Sequence, residues 1–200
     1  VGVKIIKELT LKTYLNIESF QVCQVDENLV EEHYFHVKSR PFYGWLVKYV
    51  TSSPIYAMLI SIDKTDNVNV LRDTLGSTRS HLAESGTIRH QLGLYGGVNC
   101  IHISDSLESG SQEIAIWKKR VGLQEGKFDL AIDSYVLKSD NNLPDNTMPI
   151  RNLCSIMSTA EKPDNALSNQ IQVLLRQECS NATSVEFSGL LSTIIDSCFY

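Results

Sequence analysis

The chain lacks a cysteine pattern, a long apolar run and a surplus of basic residues, and each lack removes a class of explanation. Its five cysteines (Cys23, Cys100, Cys154, Cys179, Cys198) are odd in number and widely separated, without CxxC pairs or Cys/His ligand spacing. That usage argues against a disulfide framework or a zinc site and fits a reducing, cytoplasmic compartment. No stretch approaches the roughly 18 consecutive apolar residues of a membrane helix, and Val1-Gly2-Val3-Lys4 does not open a signal peptide. A soluble protein with no membrane partner is expected. The Asn181-Ala182-Thr183 glycosylation tripeptide is a pattern frequent by chance, with meaning only on a secreted chain. A net charge of −5, from 18 basic and 23 acidic residues, offers no general basic field for nucleic acid. Phosphate recognition would have to come from a local cluster of Arg and Lys in a pocket.

What remains is an ordinary globular composition. With 200 residues, 42% of them hydrophobic, the chain can bury one core of roughly 130 residues plus an appendage, or two small domains. Val3 to Leu15 has apolar spacing compatible with a short amphipathic helix, and Leu15 to Val25 alternates as a strand does. Asp26-Glu27-Asn28 supplies capping chemistry for a helix through about His36, and Ser39-Arg40-Pro41 restarts a helix carrying Phe42, Trp45, Leu46 and Tyr49. Ile55 to Ile62 reads as a buried strand. Asn67 to Leu75 reads as a helix ending at Gly76, followed by a surface loop from Ser77 to Gly86. Val98 to Ile103 is expected to be another strand, and Ser106 to Trp117 a helix. This order belongs to an α+β sandwich. Further on, Phe128 to Leu137 alternates as a strand, Lys138 to Thr147 is loop, and Asn165 to Cys179 and Ser184 to Cys198 are amphipathic helices.

Chemistry concentrates between Arg72 and Glu113, which bracket Arg89, Thr78, Thr87, a Gly-rich turn (Gly93, Gly96, Gly97), Asn99, His102 and a Ser-Asp-Ser run. Arginine offers planar charge-assisted donors to phosphate, threonine adds hydroxyls, and glycine admits close backbone approach. His102 is a candidate nucleophile or acid/base; a histidine satisfied within the core is the alternative.

The run Asn99-Cys100-Ile101-His102-Ile103-Ser104-Asp105-Ser106, with Glu113 after it, resembles the signature of the nucleoside diphosphate kinase family, Asn-x-x-His-Gly-Ser-Asp-Ser with a later Glu. His33-Tyr34, Arg40-Pro41-Phe42-Tyr43, Leu46-Val47-Lys48-Tyr49, Ser53-Pro54, Leu75-Gly76-x-Thr78 and Gly86-Thr87-Ile88-Arg89 look like that family in its order and nearly its spacing. The resemblance covers about residues 1 to 120. It implies a ferredoxin-like α+β sandwich with an antiparallel sheet over residues 1–122, and leaves 123–200 as a partly helical extension of unassigned role. It also implies ping-pong transfer of a terminal phosphate from a nucleoside triphosphate to a nucleoside diphosphate through phospho-His102. Tyr34, Ser106 and Glu113 would orient that histidine. Arg72, Thr78 and Arg89 would clamp phosphates bridged by Mg2+, Asn99 would contact the sugar, and Phe42 and Leu46 would form a slot for the base. No protein residue is assigned as a metal ligand.

Departures from the pattern keep a second reading open. The family's glycine after the histidine is Ile103 here, the proline usual after the clamp threonine is replaced around Ser80, and His90 follows Arg89 where glycine is common. The family's first strand, ending in Lys-Pro-Asp, has no counterpart before Val1, so residues upstream are expected in a longer protein. Asp133 to Asp140 reads first as an unrelated surface strand; the alternatives are that it adds back as the missing strand, with Lys138 near the lysine's place, or begins a degenerate second copy. The rival to a kinase is a nucleotide-binding or structural module of a larger assembly, for example a ciliary one. The family usually forms hexamers, so a homo-oligomer is a further expectation.

Overall fold

A computed structural model describes residues 2–12, 15–62, 67–129, 144–179 and 182–200. Two strands and nine helices, with short 3-10 turns, make up the regular structure of those residues. Helix α1 (Gly2–Lys12) buries Val3, Ile5, Ile6 and Leu9 while Lys4 and Lys7 face out, the stripe expected of an amphipathic helix. Strand β1 (Leu15–Cys23) pairs antiparallel with β2 (Ile55–Ile62), from Leu15 opposite Ile62 to Cys23 opposite Ile55. A register irregularity falls between Ile17 and Ser19.

The segment around Lys127 runs parallel along the other edge of β1. Gly126 donates to Glu18 O at 2.8 Å, Phe20 N–H to Lys127 O at 3.1 Å and Asp129 N–H to Phe20 O at 3.0 Å. Of the strand expected over Phe128 to Leu137, the described residues show a single parallel bridge from Phe128 to Phe20; residues 130–143 lie outside the described residues, and with them the stretch from Asp133 to Asp140.

Helix α2 (Glu27–His33) is capped by Asp26, whose side chain accepts from Leu29 N–H at 2.8 Å, and passes into a 3-10 turn, Phe35–Val37. Helix α3 (Tyr43–Thr51) starts later than Ser39-Arg40-Pro41 suggested, because those residues close a turn in which Tyr43 N–H bonds Arg40 O. Helix α4 (Asn67–Leu75) ends at Gly76 in the left-handed region, φ +80°, where a Cβ would meet the Thr87 hydroxyl at 2.3 Å. The Ser77 to Gly86 stretch is the ordered surface loop expected, most of its residues exposed. A 3-10 turn, Ser80–Leu82, buries Ser80 completely, with its N–H on Gly96 O. Helices α5 (Ile88–Leu92) and α6 (Leu107–Val121) follow, capped by Thr87 and Ser106.

One expectation is corrected here and one helix is added. Val98 to Ile103 is not a strand: Cys100 sits at φ 63° and Asn99 N–H turns back to Gly97 O, so the run cannot continue a ladder. In addition, α7 (Thr147–Met157) occupies sequence not assigned to a helix. Its Pro149 falls in the first turn, where a missing N–H costs no intrahelical bond. Helices α8 (Asn165–Glu178) and α9 (Ser184–Asp196) are as expected, α9 running into a 3-10 turn, Ser197–Phe199.

The C-terminal helices share a core with the segment that carries the site. Trp45, Tyr95 and Val98 pack with Ile150, Cys154, Met157, Ile171, Leu175, Phe187 and Ile194. A second cluster joins α1, α4 and α5 through Ile5, Leu9, Leu71, Leu75, Ile88 and Leu92. A third, formed by Val25, Leu29 and Val30, receives Trp117 and Val121 from α6.

Candidate active site

His102 lies on the irregular run between Gly97 and the Ser106 cap of α6, and its side chain is 45% exposed. Glu113, two turns into α6, reaches back so that its Oε2 stands 3.0 Å from His102 Nε2 and accepts the Ser104 hydroxyl at 2.7 Å. Burial alone would raise the Glu113 carboxyl, but the bonds from His102 and Ser104 outweigh it and hold the group below the usual carboxylate range. An ionised carboxylate only accepts, so the imidazole nitrogen facing it carries the proton. In the neutral imidazole this leaves the lone pair on His102 Nδ1.

Two residues from the end of α2 stand against this imidazole. The Tyr34 ring lies 5.8 Å from it, edge on, and burial together with the Glu113 charge pushes the Tyr34 hydroxyl up to about 12. The His33 ring lies 4.8 Å away. Trp117, one turn beyond Glu113, donates its indole N–H to His33 Nδ1 at 3.2 Å, so His33 Nε2 is the protonated nitrogen and faces Glu113 Oε2 at 3.9 Å. Burial, and secondly His102, lower the His33 pKa to about 4 against the pull of Glu113, so the ring is neutral at pH 7.

His33, His102 and Glu113 bring three donor atoms within 4.8 Å of one another. The Trp117 bond leaves the inward His33 nitrogen protonated, however, so it turns an N–H and not a free lone pair towards Glu113. Two imidazoles and a carboxylate are also not the oxygen set that magnesium selects.

The remaining predicted residues are distributed around this centre. Arg89, 8% exposed, donates from Nη1 to Gly76 O at 2.8 Å and from Nη2 to Ile101 O at 2.9 Å, while its Nε is buried without a partner. Arg72 is half exposed and paired with Asp105. Thr78 is exposed, and its carbonyl accepts from Asn99 Nδ2 at 3.0 Å. Phe42 stands partly exposed at the start of α3, whereas Leu46 packs on the C-terminal core.

Ser106 caps α6, its hydroxyl accepting from Ser109 N–H at 3.1 Å, and the serine that touches Glu113 is Ser104. His33, Ser104 and Trp117 thus join the set without having been singled out. Ser104, two positions beyond His102 and nine before Glu113, had a sequence signal in that spacing. The role of His33 depends on Trp117, 84 residues away. A groove of about 350 Å3 elsewhere, between α8 and α9, is lined by Arg176, Phe187 and Leu191 and touches none of these residues.

A family model described as nucleoside diphosphate kinase matches residues 2–121. The chain belongs to the nucleoside diphosphate kinase family. It is 44% identical over 101 residues to the nucleoside diphosphate kinase of Staphylococcus saprophyticus, a match covering 50% of this chain and 66% of that protein. To the Clostridium perfringens enzyme it is 35% identical over 111 residues, 56% of this chain and 76% of the other. The chain thus spans about two thirds to three quarters of these relatives.

Among solved structures, the apo nucleoside diphosphate kinase of Encephalitozoon cuniculi superposes with a TM-score of 0.55 at 27% identity, covering 66% of this chain and 86% of that one. The Halobacterium salinarum kinase, solved in complex with CDP, gives 0.54 at 31% identity, covering 68% and 87%. The mixed α/β architecture, a small antiparallel sheet with added helices, is the ferredoxin-related fold of the nucleoside diphosphate kinase family.

Proposed function

We propose that this member of the family transfers the terminal phosphate of a nucleoside triphosphate to a nucleoside diphosphate, with His102 as the carrier. The observation that carries the reading is the Glu113 carboxylate 3.0 Å from His102 Nε2. It fixes the tautomer and leaves the half-exposed Nδ1 as a neutral nucleophile that needs no deprotonation.

In the first half-reaction the Nδ1 lone pair forms a bond to the γ-phosphorus, and the bond from that phosphorus to the β-phosphate bridging oxygen breaks, releasing a diphosphate. Positive charge growing on the ring is met by Glu113, itself steadied by Ser104. A terminal oxygen of the second diphosphate then takes the phosphoryl group and restores His102.

Arg89 and Arg72, with Thr78, are the donors for the phosphate oxygens, Arg72 exchanging Asp105 for the ligand. Asn99 serves the sugar, and Phe42 and Leu46 the base. Magnesium bound to the nucleotide would neutralise phosphate charge, and Asp105, exposed beside Arg72, would be the protein oxygen ligand on offer.

Residues 1–122 carry this chemistry and 123–200 form an extension. Substrates are nucleotides and not nucleic acid, and a homo-oligomer or larger assembly in the cytoplasm is consistent with the family. No helix among the described residues is long and apolar enough to cross a membrane.

A second reading, a nucleotide-binding module with little turnover, draws on the β-branched Ile103 beside the nucleophile and on the engagement of both Arg89 terminal nitrogens by protein carbonyls. Initial rates at several fixed diphosphate concentrations separate the two. Parallel double-reciprocal lines, abolished in His102→Ala, mark the ping-pong kinase. Saturable nucleotide binding without turnover marks the module.

A further inference from the structure

We infer that Arg151, on a helix beyond the family-matched span, is a positioning residue for His102, acting through the backbone and side chain of Arg89. The inference rests on the phosphotransfer reading for its functional meaning, and its physical part stands on geometry alone.

Arg151 is 5% exposed. Its Nε donates to Leu94 O at 2.9 Å, and its Nη2 donates to Arg89 O at 3.2 Å and to Gly93 O. One guanidinium thus gathers three carbonyls of α5 and the turn after it: Arg89 O, which also accepts from Gly93 N–H at 3.0 Å, and the carbonyls of Gly93 and Leu94, which lie past the last helical residue. Arg89, in that same turn, sends its own side chain to Gly76 O and Ile101 O, and Ile101 is the residue before His102. A continuous path of hydrogen bonds therefore runs from α7 through Arg89 to the loop bearing the nucleophile.

A charged group in this place needs a reason beyond packing, because an apolar side chain of similar volume fills a core at no desolvation cost. The planar guanidinium supplies what an apolar chain cannot, several donors in fixed directions. The Arg89 turn is thereby held while the Arg89 side chain ties Gly76 O to Ile101 O. Other bonds fasten the extension nearby: Trp45 Nε1–H to Thr193 O at 2.8 Å and the Tyr95 hydroxyl to Ser158 Oγ at 3.0 Å. Loss of the Arg151 donors alone should leave the helices seated.

The test compares Arg151→Met and Arg151→Lys with wild type in the full chain, with Ser158→Ala as a control that cuts another tie to the extension. Amide hydrogen exchange is followed at residues 89–103 and in α7–α9, alongside single-turnover phosphorylation by γ-labelled ATP with magnesium. Expected for Arg151→Met is faster exchange confined to residues 89–103 and phosphorylation slowed roughly tenfold to a hundredfold, the range that small misplacements of reacting groups produce. Arg151→Lys should recover part of both, and Ser158→Ala should change neither.

Unchanged exchange at 99–103 in Arg151→Met overturns the inference. So does loosening spread equally over α7–α9, or failure of both Arg151 variants to fold, since either shows a residue that only supports the fold. If wild type takes no phosphate while exchange responds as expected, the positioning path stands and the phosphotransfer reading falls.

Discussion

Replacing Glu113 by alanine removes one carboxylate oxygen on which His102 Nε2 and the Ser104 hydroxyl converge, at 3.0 and 2.7 Å. A hydrogen bond to a charged group contributes about 1.5–3 kcal/mol, and each ~1.36 kcal/mol of barrier is a factor of ten in rate. Phosphorylation of His102 should therefore slow roughly 10- to 150-fold. Glu113→Gln keeps an acceptor oxygen but no charge, so it should fall near the mild end. The carboxylate acts on charge that grows in the imidazole during transfer, so the loss belongs to the rate and not to nucleotide affinity. The assay is rapid-quench, single-turnover labelling from γ-labelled ATP over a range of nucleotide concentrations. Alanine at 113 with a labelling rate within about threefold of wild type, or a loss confined to half-saturation, would refute the argument that Glu113 sets the tautomer and stabilises the charged ring.

The same geometry makes acid sensitivity predictable. His33 has a folded pKa of about 4 against an ordinary 6.5. The unfolded chain therefore binds the extra proton first, and stability present above pH 6.5 is lost as pH falls towards 4, on the order of 3 kcal/mol. Chemical denaturation across that window should show the slope, and His33→Gln should flatten it. Glu113 adds a later loss with the matching sign: its folded pKa is depressed, so its contribution is present above the unfolded value of about 4.5 and disappears as pH falls through the folded one. Gly97→Ala places a Cβ 2.7 Å from the Trp45 ring and should cost about 1–3 kcal/mol in a denaturant melt by overpacking the joint between the site loop and the extension. Trp45→Phe removes the indole donor at 2.8 Å from the Thr193 carbonyl, which keeps Ser197 N–H, and should cost about 0.5–1.5 kcal/mol. A melt unchanged by both substitutions would deny that joint any role in stability.

Most of the fold was legible where a local signal acted alone. The stripe in α1, the alternation of β1, the Asp26 cap and the Gly76 terminator needed no tertiary information, and each element stands where its residues put it. Sequence reading faltered where two signals competed. The stretch from Met148 to Met157 has no element assigned from sequence and is a helix with Pro149 in its first turn, and the apolar run at Val98 to Ile103 looked like a strand but is broken by the backbone of Cys100.

The site followed the same rule. His102 and Glu113 announced themselves through order and spacing, and they meet. Ser104 was passed over for Ser106 because both hydroxyls lie in one Ser-Asp-Ser run; only the start of α6 decides which becomes a cap and which reaches Glu113. His33 and Arg151 gained meaning from partners tens of residues away, Trp117 for one and the carbonyls of Arg89 to Leu94 for the other. No local pattern encodes such contacts.

The central claim is that His102 carries phosphate on the nitrogen turned away from Glu113. The most direct measurement incubates the chain with magnesium and γ-labelled ATP, maps the label, and then adds a nucleoside diphosphate. The account predicts acid-labile label on His102 Nδ1, absent from His102→Ala, that passes to the diphosphate. Nucleotide that binds without labelling His102, or label that survives in His102→Ala, would contradict it.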